Sequence, residues 1–284
     1  MDEHDGVTRY PLPRRGFVMT GLVAGFTTAA AQGALAQRIR TGTDGLQAGE
    51  ARIPVAGGEL PGYSARPAGA GPFPVVVVIE EIFGVHEYIR DVCRRLAHAG
   101  YLAVAPELYA RLADLSTMSD PQRIVREVID KAPDATVLSD LDATVRWATA
   151  LDGNVARVGT IGFCRGGRDA WLFAEHAPVL KAAVAFYGPV NSARTAIQPR
   201  APIDAAAELH CPLLGLYGGQ DTGIAQADVA EAARRAREAG RSVEIHLYPD
   251  APHGFHADYR PSYRAADAVD AWNRALDFLR RNGV

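Results

Sequence analysis

Cysteine is scarce in this chain. The 284 residues contain three, Cys93, Cys164 and Cys211, and no two of them form a Cys-x-x-Cys pair. That spacing excludes a zinc ribbon and a thioredoxin-type redox motif, and the odd count leaves at least one thiol unpaired. Metal-ligand patterns are missing as well. The histidines are scattered, and the nearest pair, His253 and His256, lacks the glutamate of a zinc-protease helix. Neither a metal nor another cofactor is expected. An excess of one charge is also lacking: 30 basic and 33 acidic side chains leave a net charge of −3, which calls for neither nucleic acid nor an anionic membrane as a partner. There is no internal repeat and no low-complexity tract.

What is present is an ordinary globular composition, 48% hydrophobic and 22% charged, rich enough in apolar residues for a sizeable core. The first 36 residues stand apart. Residues 1–13 are polar and irregular, Arg14-Arg15 precede Gly16-Phe17-Val18, and an uncharged stretch over 17–36 ends in Ala34-Leu35-Ala36. A basic segment, a weakly apolar segment and a small-residue end describe a signal peptide, and the paired arginines describe the twin-arginine type. The stretch is too dilute in Leu, Ile and Val to span a membrane well. Cleavage after Ala36 is expected, which places the mature protein in the periplasm with no stable membrane anchor. Oxidising compartments trap exposed thiols, so a reactive cysteine there has to be sheltered. Residues 37–50 are Gly/Thr-rich and read as a linker. Residues 51–284 read as a single domain.

Along that domain the hydrophobic period switches repeatedly. Residues 51–55 and 60–65 flank Gly57-Gly58 as a hairpin. Residues 75–79 are an unbroken β-branched run, the mark of a strand buried on both faces. Ile89, Val92, Cys93 and Leu96 form one helical stripe, ended by Gly100, and 101–105 is a second buried strand. A polar segment over 107–135 carries a helix at 122–131. Leu138, Leu141, Val145 and Ala148 form another stripe. Strand 155–163 runs into helix 168–176; strands follow at 181–187, 212–217 and 243–248, with helices at 227–239 and 263–281. Such alternation predicts an α/β fold, a mostly parallel sheet with helices on both faces. Its ligand crevice lies beyond the carboxyl ends of the strands.

Three reactive residue types stand just after three of those strands. Cys164 follows 155–163 within Gly162-Phe163-Cys164-Arg165-Gly166-Gly167, Asp221 follows 212–217 within Gly218-Gly219-Gln220-Asp221, and His253 follows 243–248 within Pro252-His253-Gly254-Phe255. Nucleophile, acid and base in that chain order are the arrangement of the α/β-hydrolase fold. Gly-x-Cys-x-Gly places the thiol on a sharp strand-to-helix turn, where the helix N-terminus favours thiolate. His256 is the runner-up for the base and Asp250 for the acid, while His246 alternates within a strand. Cys93 lies on an apolar stripe, and Cys211 stands at a strand entrance; both read as structural.

These segments, together with Glu80-Glu81-Ile82-Phe83-Gly84 and Ala105-Pro106-Glu107-Leu108-Tyr109, resemble the dienelactone hydrolases (carboxymethylenebutenolidases) over roughly residues 51–281. The resemblance implies a Cys164–His253–Asp221 triad with Glu81 beside the thiol, holding it at rest and helping to generate thiolate once substrate is bound. It implies an oxyanion hole of the Ile82 and Arg165 backbone N–H groups. It further implies a small ester or lactone substrate, carboxylate-bearing and held by arginines. Arg126 is the first match for such an arginine, with Arg123 as its alternative. Tyr109 and Arg260 are further substrate-binding candidates, although Arg260 lies further past His253 than the family places its second arginine. The segment 191–209 is long for a strand connection and is expected to reshape the pocket rim.

The function expected is therefore hydrolysis of small carboxylic esters or lactones through an acyl-enzyme, by a monomer or a dimer. Three rivals remain: an esterase of unrelated substrates, a non-catalytic periplasmic binding protein on the same fold, and a redox-sensing thiol protein, which needs a resolving cysteine.

Overall fold

In the computed structural model, residues 38–284 are described; the signal peptide expected over 1–36 lies outside them. The run Phe73–Ile79 forms strand β3, and Val75, Val76, Val77, Val78 and Ile79 expose no surface at all. Successive side chains of a strand point to opposite faces, so this complete burial means that both faces of the sheet are covered. Strands β4 (Leu102–Pro106), β5 (Gly153–Phe163), β6 (Leu180–Phe186), β7 (Leu213–Gly218) and β8 (Val243–Tyr248) run parallel with it. A hairpin of β1 (Leu46–Val55) and β2 (Gly58–Pro67) completes an eight-stranded sheet in the order β1-β2-β4-β3-β5-β6-β7-β8, with β2 antiparallel to both its neighbours.

The hairpin corrects the expected linker. Residues 46–50 form the first half of β1, paired with the far end of β2 from Leu46 opposite Pro67. Residues before them are tied down as well. Thr41 N–H donates to Asp91 Oδ1 at 2.6 Å, Ile39 N–H donates to Asp258 Oδ2 at 2.8 Å, and Arg94 Nε donates to the Thr41 carbonyl. Gly and Thr composition signals a loop, but a backbone finds order wherever donors and acceptors meet it.

Helix α1 (Glu87–His98) buries the stripe Ile89, Val92, Cys93 and Leu96 completely. It meets α7 (Ala265–Arg281) where the Arg95 guanidinium lies over the Trp272 ring. Helix α2 (Pro121–Glu127) starts with proline and is capped by Asp120, whose side chain accepts from Gln122 N–H; a short 3₁₀ turn, Ile129–Lys131, follows where a continuous helix was expected. Helices α3 (Asp134–Leu151) and α4 (Arg165–His176) pack side by side, and α4 is linked through α5 (Pro202–Ala205) to α6 (Gln226–Glu238). Helix α4 begins at 165, not 168. Arg165, Arg168 and Asp169 look like surface in the sequence, yet all three are buried because they pair with one another and with Asp134. The segment 191–209 is packed rather than free: Gln198 is buried, accepts from Arg165 and donates to the Ile129 and Ala132 carbonyls.

Candidate active site

The chain turns from β5 into α4 within a single residue. Cys164 sits there at φ 53° and ψ −116°, left-handed backbone that costs a residue with a Cβ roughly 1–3 kcal/mol. The surroundings hold it in place. Its N–H donates to the Phe186 carbonyl at 3.0 Å, and its own carbonyl accepts from Gly167 and Arg168 N–H. A Cβ at 162 would overlap the Gly166 carbonyl, and one at 166 would overlap the carbonyls of Ile79 and Glu80. Only glycine lets strand, turn and helix close past one another here. The thiol, half-buried, thereby sits at the N-terminus of α4, where the helix dipole favours negative charge.

His253 and Asp221 come to it from the two strands beyond. His253 Nε2 is 3.2 Å from Cys164 Sγ, and His253 Nδ1 is 2.7 Å from Asp221 Oδ2. The acid turn is locked to the histidine loop, since Gly219 N–H donates to the Tyr248 carbonyl and Gln220 N–H to that of Ala251. Asp221 is buried, and its other oxygen accepts from Gly223 N–H. Burial opposes a charged imidazole at 253, but hydrogen bonds and charges from Asp221 and Cys164 outweigh it and raise the His253 pKa to about 10. The competitors point elsewhere. His256 is buried with Nδ1 2.6 Å from the Tyr88 hydroxyl, and burial lowers its pKa to about 3. His246 neighbours Asp270, and Asp250 is exposed. Cys93 and Cys211 are buried free thiols; burial raises both, Cys211 to about 12.

Glu81, at the end of β3, is fully buried but does not touch the thiol as expected. The Tyr259 hydroxyl donates to its Oε2 at 2.5 Å, Arg260 Nη2 stands 3.1 Å from its Oε1, and His86 Nε2 is 3.8 Å from Oε2. The Arg260 contact pairs charges without aiming an N–H along a hydrogen-bond line, and Oε1 has no other donor. Desolvation pushes the carboxyl upward, yet Arg260, His86 and Tyr259 together bring it down to about 2. Glu81 is thus engaged by Tyr259, Arg260 and His86, and no hydrogen bond links it to Cys164 Sγ.

The remaining candidates divide. Ile82 and Arg165 N–H both lie at this end of the sheet, and neither donates to an acceptor among the described residues. Arg260 is at the site, with its guanidinium over the Phe83 and Tyr259 rings. Its distance from His253 in sequence is absorbed by a run of tight turns over 254–263. Tyr109 is a correction: it is wholly buried, and its hydroxyl donates to Asp169 on α4, so it supports the helix behind the thiol instead of facing a ligand. Arg126 is exposed on α2 and makes no ion pair or hydrogen bond among the described residues, while Arg123 pairs with Glu127 on the same helix.

Sequence reasoning missed Tyr187, Tyr259 and His86. Tyr187 directly follows β6, is buried in left-handed backbone at φ 38°, and sets its ring 5.1 Å from that of His253 at 62°. Its place just past a strand end was the signal that could have found it. His86 and Phe83 also border a cleft of about 630 Å³ with Arg90, Glu107 and Leu115. Among the described residues, no three His, Cys, Asp or Glu side chains converge as a metal ion needs.

A mostly parallel sheet with a strained strand-to-helix turn after β5, an acid turn after β7 and a histidine loop after β8 defines the α/β-hydrolase class. Comparison with known proteins narrows this. The Dienelactone hydrolase family matches residues 60–283, and the chain belongs to that family of lactone and ester hydrolases. It is 50% identical over 274 residues to a protein of Methylorubrum extorquens provisionally named a carboxymethylenebutenolidase, covering 96% of this chain and 94% of the other. It is 36% identical to a Bradyrhizobium protein provisionally named a 2-oxo-3-(5-oxofuran-2-ylidene)propanoate lactonase, covering 77% of this chain and 88% of the other. A crystal structure from Klebsiella pneumoniae, provisionally titled a dienelactone hydrolase, superposes with a TM-score of 0.82 at 47% identity, covering 83% of this chain and 99% of that one.

Proposed function

We propose that the chain hydrolyses small lactones or esters bearing a carboxylate, with Cys164 as the nucleophile. The observation that carries this reading is the line Cys164 Sγ, His253, Asp221, closed at 3.2 and 2.7 Å at the N-terminus of a helix. Asp221 accepts from Nδ1–H and thereby turns Nε2 toward the sulfur, where it takes the thiol proton. The thiolate attacks the carbonyl carbon, and the developing oxyanion is met by the Ile82 and Arg165 N–H groups. As the carbon–oxygen bond breaks, the His253 imidazolium gives its proton to the departing oxygen and leaves a thioester on Cys164. Water, deprotonated by His253, then attacks the thioester and frees the acid and the thiol.

The Arg260–Glu81 pair supports the carboxylate-bearing class. An incoming carboxylate competes with Glu81 for the same guanidinium. The Bradyrhizobium relative is named for a lactone with a propanoate group, which agrees with this choice. The test is turnover of a five-membered unsaturated lactone acid and of its methyl ester by the wild type and by Cys164→Ala. Undiminished turnover in the alanine variant sinks the proposal. We also propose that the twin-arginine segment directs this hydrolase to the periplasm; retention of an Arg14→Lys/Arg15→Lys variant in the cytoplasm is the expected result.

A further inference from the structure

Two carboxyl groups next to this site take no part in the chemistry above. Glu80 follows β3 and Glu107 follows β4, and each reaches across to hold the other's segment. Glu80 Oε1 accepts from Leu108 N–H at 2.9 Å, and Glu107 Oε1 accepts from Val85 N–H at 3.0 Å. Glu80 is fully buried, and its Oε2 has no hydrogen-bond partner among the described residues. The loop from 80 to 85 is therefore pinned at both ends, and Ile82 lies between the pins. Gly84 fits against the clamp: its φ is +79°, and a Cβ there would stand 2.9 Å from Glu107 Oε2. On its other side, the Glu80 carbonyl lies so close to Gly166 that a Cβ on Gly166 would overlap it. The loop is thus seated against the helix that supplies the Arg165 N–H.

We propose that Glu80 and Glu107 share one proton and form a clamp that positions the Ile82 N–H for the oxyanion. The proposal rests on the reading that this N–H meets the oxyanion. A fully buried carboxylate beside a half-buried one cannot ionise cheaply while its neighbour is charged. With the proton between them, Glu80 donates to Glu107, and the remaining oxygens keep Leu108 and Val85. Burial and the mutual repulsion of the pair raise Glu80 well above the ordinary carboxyl range, and burial raises Glu107 too. The other groups facing the pair are Asp169 on α4, Tyr109 behind Glu80, and His86 and Arg90 around the start of α1. Asp169 opposes ionisation of Glu80, while Arg90 and His86 favour that of Glu107. This makes Glu80 the residue that carries the proton. Both are positioning residues and touch no substrate.

The experiment compares Glu107→Ala, Glu107→Gln and Glu80→Gln with wild type, using p-nitrophenyl acetate for kcat and KM. Iodoacetamide alkylation of Cys164 and a thermal melt accompany each. Losing one oxyanion donor outright costs about a hundred- to a thousandfold in kcat, so loosening its loop in Glu107→Ala is expected to cost about tenfold to a hundredfold. KM stays within about threefold and the alkylation rate within about twofold, because neither depends on the oxyanion donor. Glu107→Gln keeps an acceptor for Val85 and restores kcat to within about threefold of wild type. Glu80→Gln mimics the protonated acid: it keeps kcat at neutral pH and loses the alkaline decline that wild type shows as the shared proton leaves. A folded Glu107→Ala with kcat within about twofold of wild type overturns the clamp, as does a fall in alkylation that parallels the fall in kcat. If Glu107→Ala does not fold, Glu80→Gln decides: an alkaline limb identical to wild type overturns it. Undiminished turnover by Cys164→Ala instead strikes the underlying reading, so the two failures are separable.

Discussion

Arg260 Nη2 stands 3.1 Å from Glu81 Oε1, an arginine committed to a buried carboxylate of its own chain. On the proposed reading, substrate recognition and the charge balance of the site run through this one pair. Removing either partner alters both.

Arg260→Ala leaves Glu81 buried without its main counter-charge, and its carboxyl pKa, now held at about 2, rises. The expected kinetic result is a KM about tenfold to a hundredfold higher for a carboxylate-bearing lactone, in line with the loss of a charge-assisted contact. KM for the methyl ester changes by less than about threefold. Arg260→Lys restores part of the effect, because it returns the charge but not the planar fork. Equal effects on acid and ester count against Arg260 as the carboxylate's partner.

His253 offers a prediction in pH. Its pKa rises from an unfolded value of ~6.5 to about 10 in the fold. The stability it contributes is fully present below ~6.5 and is lost as pH rises through about 10. Asp221→Asn removes the larger of its two hydrogen-bonded supports, so the loss moves to lower pH. Thermal melts between pH 6 and 11 follow this directly, and the pH dependence of Cys164 alkylation is expected to shift in parallel. A melt profile that does not move in Asp221→Asn contradicts the coupling.

His256 behaves in the opposite sense. It is buried as a neutral ring with Nδ1 on the Tyr88 hydroxyl, and its pKa falls to about 3. Its contribution to stability is present above ~6.5 and is lost as pH falls from there towards about 3. His256→Gln keeps a polar partner for Tyr88 but cannot charge. Its acid-side decline in melting temperature is expected to be shallower, with kcat within about twofold of wild type. A larger drop in kcat marks His256 as part of the site after all.

Gly162→Ala places a Cβ against the Gly166 carbonyl, where backbone meets backbone and neither can yield. The expected cost exceeds about 4 kcal/mol, seen as insoluble protein or a large fall in the denaturant midpoint. A soluble variant with wild-type stability contradicts this close approach of backbone to backbone at the turn.

Much of this was legible in the residues. The unbroken run 75–79 could only be a strand covered on both faces, and the stripe Ile89, Val92, Cys93 and Leu96 could only be a buried helix face. The positions of Cys164, Asp221 and His253 just past strand ends were readable because a parallel sheet sends all its carboxyl ends to one edge. Other features were hidden by composition. The Gly/Thr-rich stretch before Glu50 concealed half of β1, and the charged start of α4 concealed three buried side chains.

The sequence by itself determined the order of the elements and the three reactive residues, because period, glycine spacing and chain order are local properties. Only the tertiary structure decided the partners of Glu81, Tyr109 and Arg260. An ion pair or a hydrogen bond depends on distances of a few ångströms between segments far apart in the chain. Glu81 and Arg260, 179 positions apart, meet because the ends of β3 and β8 face a common crevice. Arg126, much nearer to Glu81 in sequence, remains on the exposed surface of α2.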